Sequence, residues 1–556
     1  MARVGNLSET CADWTMKFLD KQGIEFIFGH PGGPVLPFYE ALRKSSKPRH
    51  ILVRHEGAGS FMADAYSKVT GKVGVCMSTM GPGAANMTIG VGTAMSDSTP
   101  LIAITGQLSL KVFGKGYQQE TNHTALFSGI TKASLQVKRA DTFAEVFERA
   151  YRIAVSGRPG PVHIDVPVDL SGAEMSSPPE ARMIPLTKFG SAEPGEIRRA
   201  AEMISKASNP VILAGGGVVF GDASRELVDF AETLQLPVAT SFNGRGSIPE
   251  NHALSLGRVG EYTPSYARKL AEQADLLIAL GYRFTDVSLD NWKIPAQCNI
   301  IQIDIDPTEF GKNITPSLSI LGNIRDVLPQ ILSELKSSTR SNPDRSTWIR
   351  QVKDSREAWS TAYSKIQSSD EIPIKPQRVM KELAKFTGGD AIVAAGAGRA
   401  KMWAASVLPI LNPRTWIHSG GYAVMGYELC GALAAKLARP ESRVIAISGD
   451  GSFQMHAQEL ATAVEQRASF LAVVLNDKSL ASIRNAQLKR YGKPFGTDFE
   501  LDVNLADVAK AFGADGRRIT KPSELYDGIK EGLNSTRPYV LDVVVDGREI
   551  PTFELP

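Results

Sequence analysis

Short apolar runs rich in β-branched residues alternate with longer amphipathic stretches along almost the whole chain. A continuous apolar run is typical of a strand buried on both faces, as in parallel sheets covered by helices. The sequence therefore predicts an α/β protein wound in open parallel sheets. The clearest predicted strands are residues 51–53, 73–77, 101–105, 211–214, 276–280, 300–305, 444–447, 471–475 and 540–545.

Two polar stretches rich in Ser and Pro, residues 171–192 and 336–345, interrupt this alternation. Such stretches are typical of linkers, and they leave units of ordinary domain size. We expect three doubly wound parallel-sheet domains: residues 1–175, a Rossmann-like central domain at 190–335, and residues 370–556. The first and third share a similar rhythm of strands and helices.

Charge and cysteine usage exclude several classes of protein. The formal net charge is +3 and the basic residues are scattered, which argues against a nucleic acid partner. The four cysteines lie far apart and form no CxxC pair, so a disulfide framework or zinc site is not expected and a reducing cytoplasm fits. The longest apolar runs have strand length, so we expect no membrane span.

Two carboxylates follow neighbouring predicted strands in the last third of the chain. Asp450 lies in Gly449-Asp450-Gly451 directly after one strand, and Asp477 follows the next. Because parallel strands end at the same edge of a sheet, where ligands of such folds bind, both acids are expected at one site. The glycines allow close approach of phosphate, and Mg²⁺ favours one or two carboxylates with phosphate oxygens. Alone, Gly-Asp-Gly is more often an ordinary turn.

This pattern, together with Asn476-Asp477, resembles the thiamine diphosphate and Mg²⁺ signature, although Asp477 stands where the family has a second Asn. Further segments resemble acetolactate synthases in the same order over nearly the whole chain. They include residues 28–33, 54–58, 62–66, 81–86, 104–107, 157–161, 303–313, 402–405, 419–421, 425–426 and 449–455.

The resemblance implies roles for residues at both ends of the cofactor. Glu56 would be the acid that activates the pyrimidine ring, and Gln119 would point at the reacting carbon. Met425 would support the bent cofactor. The implied metal ligands are Asp450, Asp477 and the backbone carbonyl of Ser479, and the other implied cofactor contacts are Asn86, Arg399, Gly426, Gly451 and Ser452.

Less specific explanations exist for three of the polar side chains. Glu56 could be a solvated residue at a helix start, where the helix dipole favours an acid. Gln119 could be a surface amide on a loop. His123, just beyond it, could shuttle protons, but a lone histidine is more often structural.

A flavin site in the central domain stays open from the sequence. A strand running into three glycines, which include Gly216, suits a nucleotide, but related decarboxylases keep such a domain without flavin. Arg158, Arg283 and Asp304 lie in segments similar to flavin-contacting stretches of acetolactate synthases. FAD is therefore an alternative beside thiamine diphosphate and Mg²⁺.

Two departures from the family pattern affect the expected reaction. Val287 stands where acetolactate synthases carry an Arg for the acceptor carboxylate, and Ala486 where they carry a Trp. The leading hypothesis is decarboxylation of a 2-oxoacid such as pyruvate with transfer of the fragment to an acceptor carbonyl, as in branched-chain amino acid biosynthesis. The alternatives are a simple decarboxylase or C–C lyase, acetyl transfer to phosphate, and a non-catalytic paralogue. The resemblance also implies a homodimer or homotetramer with active sites between chains.

Overall fold

A computed structural model describes residues 9–185, 192–260, 262–289, 293–337, 343–551 and 553. Within these ranges the chain forms three six-stranded parallel sheets with flanking helices. The predicted fold class is confirmed. Parts of the predicted domains and linkers lie outside the described residues. They include 1–8 and 190–191 of the domains, and 186–191 and 338–342 of the linkers.

The first sheet has the order β2-β1-β3-β4-β6-β5. Its strands are β1 Phe26–Gly29, β2 Arg49–Leu52, β3 Gly74–Ser78, β4 Leu101–Gln107, β5 Ala133–Gln136 and β6 Pro161–Pro167. Its helices are α1 Cys11–Lys21, α2 Leu36–Lys44, α3 Glu56–Thr70, α4 Pro82–Asp97, α5 His123–Ser128, α6 Phe143–Val155 and α7 Val168–Ser171.

The second sheet has the order β12-β11-β10-β7-β8-β9, which is that of the Rossmann fold. Its strands are β7 Pro210–Ala214, β8 Val238–Thr240, β9 Ser255–Arg258, β10 Leu276–Leu280, β11 Asn299–Asp304 and β12 Leu318–Leu321. The helices along this part of the chain are α8 Pro194–Lys206, α9 Gly216–Phe220, α10 Ser224–Leu234, α11 Ser265–Ala271, α12 Asp286–Leu289, α13 Ile324–Ser337 and α14 Ser346–Ile366.

The third sheet has the order β14-β13-β15-β16-β18-β17, so its six strands repeat the arrangement of the first sheet. Its strands are β13 Ile392–Ala395, β14 Trp416–His418, β15 Val444–Gly449, β16 Leu471–Asn476, β17 Asp515–Ile519 and β18 Tyr539–Val544. Its helices are α15 Pro376–Ala384, α16 Arg399–Val407, α17 Tyr427–Ala438, α18 Asp450–His456, α19 Glu459–Glu465, α20 Ala481–Tyr491, α21 Leu505–Ala511 and α22 Leu525–Asn534.

Successive side chains of the central strands enter two different cores, which explains their continuous apolar character. On β15, Ile445 and Ile447 pack in one core and Ala446 in the other, and all three are inaccessible to solvent. Because neighbouring residues of a strand point to opposite faces, a strand covered on both sides needs apolar residues at every position. Helix α3 and helix α17 pack against each other within the core that the first and third sheets share.

A buried ionic network also joins the three sheet units. Lys68 on α3 donates to Asp64 at 2.8 Å, to Asp97 at 2.7 Å and to the carbonyl oxygen of His418 at 2.8 Å. Asp97 in turn accepts from the side chain of Asn243, which lies in the central unit. A helix able to cross a bilayer is absent from the described part of the chain.

Candidate functional site

Glu56 is the first residue of α3, at the edge of the first sheet where β2 ends. The side-chain amide of Asn86 donates to Glu56 Oε2 at 2.9 Å. Gly83, near the start of α4, is close enough that a Cβ there would lie 3.2 Å from Glu56 Oε1. Two residues predicted from the family resemblance, Glu56 and Asn86, therefore lie together, and the half-buried carboxylate keeps Oε1 for another group.

Gln119 lies on an exposed loop that packs against the start of α4. Its φ of 64° is unusual for a residue other than glycine, and such strain is often found at functional sites. Gly81 has a φ of 57°, and a Cβ there would lie 2.6 Å from the carbonyl oxygen of Gln119. Glu120 accepts three backbone N–H groups of the loop, which fixes its shape. The loop at Gln119 thus lies against the start of α4, the helix whose first two turns carry Asn86.

His123 lies buried beneath this loop and binds the backbone of Gly81. It is 1% exposed, its Nδ1 lies 2.8 Å from Oδ1 of Asp165, and its Nε2 accepts the backbone N–H of Gly81 at 3.0 Å. A ring with both nitrogens engaged and no access to solvent fits a structural role better than proton shuttling. Its partner Asp165, 42 residues away on β6, lies in no motif that a reader of the sequence would notice.

At the third sheet, Asp450 follows β15 and Asp477 follows β16, and these strands are paired neighbours. Gly451 donates its backbone N–H to Asp450 Oδ1 at 2.8 Å, whereas the buried Oδ2 has no protein partner. Ser479 Oγ donates to Asp477 Oδ1 at 2.8 Å. The three residues predicted to hold a metal are therefore grouped at one sheet edge.

These residues fit a hard divalent cation. Burial, reinforced by the charge of Asp477, raises the pKa of Asp450 to about 7, and burial also raises the pKa of Asp477. Two buried carboxylates that disfavour each other's ionisation are stabilised by a proton or a cation between them. The unpartnered Oδ2 of Asp450 offers a ligand atom, and Mg²⁺ accepts one or two carboxylates beside phosphate oxygens.

Arg399 was predicted to meet the diphosphate, and the structure places its guanidinium on Asp477. Nη2 lies 2.7 Å from Asp477 Oδ2 and 2.9 Å from the carbonyl oxygen of Gly547, and Nη1 contacts the carbonyl oxygen of Glu549. The buried Nε has no protein partner.

The other predicted contacts of the third unit surround the same edge. Gly426, with a φ of 80°, donates its backbone N–H to Ser452 Oγ at 2.7 Å, and half-buried Met425 precedes it. Gly451 packs closely against Leu480, since a Cβ there would lie 2.9 Å from a terminal methyl group of that side chain. A cavity of about 300 Å³ opens beside Asp450, and it is lined by Asp450, Gln454, Asn476, Lys478, Asp498, Phe499, Glu500, Leu501, Val503 and Leu505.

In the central unit the glycines have a clear packing role. A Cβ on Gly215 would lie 1.9 Å from the carbonyl oxygen of Gly281, and one on Gly217 would lie 2.8 Å from Gly281 Cα. A Cβ on Gly216 would lie 2.9 Å from the side chain of Asn243. The glycine run therefore lets the loops after β7 and β10 touch at the point where the strand order reverses.

The remaining predicted flavin contacts lie near one another. Arg158 donates to Glu309 at 2.9 Å and lies 3.5 Å from Asp306, and Arg283 donates to the carbonyl oxygen of Ser96 at 2.9 Å. Burial raises the pKa of Asp304 at the end of β11 to about 6. Arg158 thus binds acids of the central unit, whereas Arg283 donates to α4 of the first unit.

The two halves of the site lie near opposite ends of α18. Among the described residues no hydrogen bond or ion pair joins Glu56 to Asp450 or Asp477. Asp450 begins α18, whereas His456 at its other end lies 5.7 Å from the ring of His55, next to Glu56. A helix of this length separates its ends by about 9 Å.

Glu459 could not be recognised as a site residue from the sequence, because an isolated Glu in a helical pattern resembles a solvated residue. It is 1% exposed and accepts the backbone N–H groups of Arg54 at 2.9 Å and His55 at 3.1 Å. These groups directly precede Glu56, so Glu459 of the third unit fixes the turn that carries Glu56.

Comparison with known proteins assigns the chain to a family. Residues 9–126 match the model of the thiamine pyrophosphate enzyme N-terminal TPP binding domain. Residues 197–331 match the central domain, and residues 396–543 match the C-terminal TPP binding domain.

Full-length relatives agree. The probable acetolactate synthase large subunit of Methanococcus aeolicus is 36% identical over 96% of this chain and 92% of its own length. The acetolactate synthase large subunit of Corynebacterium glutamicum is 36% identical over 96% and 87%, and isozyme 3 of Escherichia coli is 35% identical over 97% and 95%. The chain therefore belongs to the thiamine pyrophosphate enzyme family, in the group that contains the acetolactate synthase large subunits.

Proposed function

We propose that this protein is a thiamine-diphosphate- and Mg²⁺-dependent enzyme that decarboxylates a 2-oxoacid, with pyruvate as the expected donor, and transfers the remaining fragment to an acceptor carbonyl. The observation that carries the proposal is the pair Asp450 and Asp477 at neighbouring strand ends, with a buried carboxylate oxygen that has no protein partner. The relatives named acetolactate synthase support the same reaction class.

Bound thiamine diphosphate supplies the chemistry that stabilises a carbanion next to a carbonyl. Asp450 and Asp477, with the backbone carbonyl of Ser479, would hold Mg²⁺ against its phosphate oxygens. The open space at Gly449, where a Cβ would meet nothing within 4 Å, leaves room for the diphosphate. Met425 and Gly426 would lie along the cofactor on the same side.

At the other end, Glu56 would keep a proton in reach of the pyrimidine ring. The Asn86 amide holds its Oε2, and Glu459 fixes the turn that precedes it. Gln119 would donate a hydrogen bond to charge that develops on substrate oxygen, which is the usual role of a fixed amide in such sites. The backbone of Gln119 lies against Gly81, just before α4, which supports this role.

We further propose that two chains complete each site, because the resemblance to acetolactate synthases implies it and exposed apolar side chains lie near both half-sites. Elements at both half-sites expose apolar side chains, including Ile89 and Met95 on α4, Tyr422, and Met455 on α18. Contiguous exposed apolar surface is typical of protein interfaces. A homodimer would place α4 of one chain over α18 of its partner.

The acceptor is the least constrained part of the proposal. Val287 and Ala486 lie on α12 and α20, and neither can pair with a carboxylate. A decarboxylase that protonates the fragment, or acetyl transfer to phosphate, is therefore the second candidate. Both candidates share the donor half of the reaction.

Product analysis separates these candidates. The purified protein is incubated with thiamine diphosphate, Mg²⁺ and pyruvate, with and without 2-oxobutyrate and with phosphate, and the products are identified by NMR. Acetolactate or acetohydroxybutyrate supports the first candidate, whereas acetaldehyde or acetyl phosphate supports the second. Failure to consume pyruvate refutes it as the donor.

Glu56→Gln tests the catalytic assignment. We expect turnover to fall by about 10²–10⁴-fold, the usual contribution of acid–base catalysis, while the fold is retained. Glu40→Gln is the matched control, since Glu40 is an exposed residue on α2 that pairs with its helix neighbours Arg43 and Lys44. Equal turnover of the two variants would contradict the role of Glu56.

FAD is a separate proposal, supported by Arg158, Arg283 and Asp304 beside the glycine loop. The packing role of the glycines does not require a flavin. An absorption spectrum of the protein purified without added flavin, followed by titration with FAD, tests it directly. Flavin bands that survive gel filtration would support binding, and their absence after titration would oppose it.

A further inference from the structure

The ion pair between Arg399 and Asp477 lies at the centre of the proposed metal site. The two side chains are 8% and 10% exposed, and Nη2 lies 2.7 Å from Oδ2. Two backbone carbonyls, those of Gly547 and Glu549, hold the same guanidinium. The backbone of Gly547 lies close to the acid, since a Cβ there would be 3.1 Å from Asp477 Cβ. The carboxylate itself is held by Arg399 and by Ser479 Oγ.

The position of Arg399 at the start of its helix explains why it needs an acidic partner. Arg399 is the first residue of α16, after Gly398 with a φ of 80°. The positive end of the helix dipole disfavours a cation there and favours an anion. A buried arginine at this place needs a carboxylate partner, and Asp477 provides it.

The two oxygens of the Asp477 carboxylate have different partners. Oδ2 accepts from Arg399, and Oδ1 accepts from Ser479 Oγ at 2.8 Å and remains on the side of the metal-binding loop. Asp450 lies on the neighbouring strand with its own Oδ2 unpartnered. Without Arg399, two adjacent carboxylates would repel each other in a buried place.

We propose that Arg399 is a positioning residue that orients the Asp477 carboxylate and offsets its charge, so that an acid at this position serves the metal as a nearly neutral ligand would. This inference rests on the proposed thiamine diphosphate and Mg²⁺ site. It differs from a role on the diphosphate, because it makes the effect of Arg399 depend on the charge at Asp477.

A double-mutant cycle tests this dependence. The full-length variants R399Q, D477N and R399Q/D477N are compared with the wild type, first as proteins freed of cofactor and metal. Each single change leaves a buried charge unpaired, so we expect the melting temperature to fall by about 5 °C or more. The double variant, which has neither charge, is expected to regain at least half of that loss.

Mg²⁺ affinity is then measured by calorimetry in the presence of thiamine diphosphate. We expect D477N to bind Mg²⁺ about tenfold more weakly, because the cation of Arg399 is left beside the site, and the double variant to recover to within about threefold of the wild type. R414Q is the matched control, since Arg414 pairs with Asp222 in another contact between units. D477N combined with R414Q should show no recovery.

Additive losses in the double variant, in either measurement, would overturn the proposal and favour a direct role of Arg399 on the diphosphate. The melting experiment contains no cofactor. It therefore tests the coupling of the two residues even if the chain binds no thiamine diphosphate. Failure to bind thiamine diphosphate would refute the proposed function but not the coupling.

Discussion

Replacing Lys68 with methionine removes the cation that lies between two buried carboxylates. Nζ donates to Asp64 and Asp97 at 2.8 and 2.7 Å, and the three side chains are at most 5% exposed. Tyr427 also donates to Asp64, at 2.7 Å. Methionine fills a similar volume, so the change tests the charge more than the packing.

The expected loss follows from the geometry. Breaking a buried pair by removing one partner costs about 3–5 kcal/mol, because the other charge stays buried and unpaired. At roughly 2–4 °C per kcal/mol for a domain-sized unit, the melting temperature should fall by roughly 6–20 °C. The network joins all three sheet units, so the loss should appear in the main unfolding transition.

The pH dependence gives a second criterion. Burial opposes ionisation of Asp97, but the charge and hydrogen bond of Lys68, together with neighbouring basic side chains, outweigh it and lower the pKa to about 2. The wild type therefore keeps this contribution above the ordinary pKa of 3.8 and loses it only toward pH 2. Burial raises the pKa of Asp64 even with Lys68 present, and loss of Lys68 would raise the pKa of both carboxylates, so the deficit of the variant should shrink from pH 8 to pH 5.

Scanning calorimetry at several pH values measures both effects. Lys72→Met is the matched control, because Lys72 and Glu25 form an exposed pair that is worth at most about 1 kcal/mol. The triple variant K68M/D64N/D97N should regain most of the loss, since no unpaired charge remains. A deficit below about 1 kcal/mol at pH 8, or one that grows toward pH 5, would refute the reasoning.

Two further predictions concern the supports of the proposed catalytic groups. Gly81→Ala places a Cβ 2.6 Å from the carbonyl oxygen of Gln119, at a backbone φ of 57°. We expect a loss of about 1–2 kcal/mol in stability and at least tenfold lower kcat/KM. Unchanged kinetics would show that this loop has no part in catalysis. Burial raises the pKa of Glu459 from 4.5 to about 7, so the folded protein retains a proton that the unfolded chain releases, and stability should decline from pH 5 to pH 8. Glu459→Gln should reduce that decline by about 3 kcal/mol in denaturant unfolding, and an unaltered pH profile would contradict the assignment.

Much of the fold could be predicted because its central strands are covered on both sides. The predicted strand 276–280 coincides with β10, and the predicted strand 471–475 differs from β16 by one residue. Two edge strands were not among the clearest predicted strands: β5 is half-buried along its length, and β17, with the sequence Asp-Gly-Arg-Arg-Ile, has one buried residue. A strand with one neighbour and an open face needs no apolar run.

The candidate site divides in the same way. The motifs around Asp450 and Asp477 could be recognised because strand ends and glycines impose a local pattern, and the structure brings both acids to one sheet edge. Glu459 and the partner of His123 carry no local pattern, since their contacts span 404 and 42 residues of sequence.

The sequence alone determined that the chain forms parallel α/β units, because burial on two faces leaves continuous apolar runs, and its ordered motifs carry the resemblance to the thiamine diphosphate enzymes. Only the tertiary structure decided that Arg399 binds Asp477 and that Glu459 holds the turn before Glu56. The first depends on how α16 meets the loop after β16, and the second on how two units pack. Contacts between distant segments are set by that packing, and no short stretch of sequence records it.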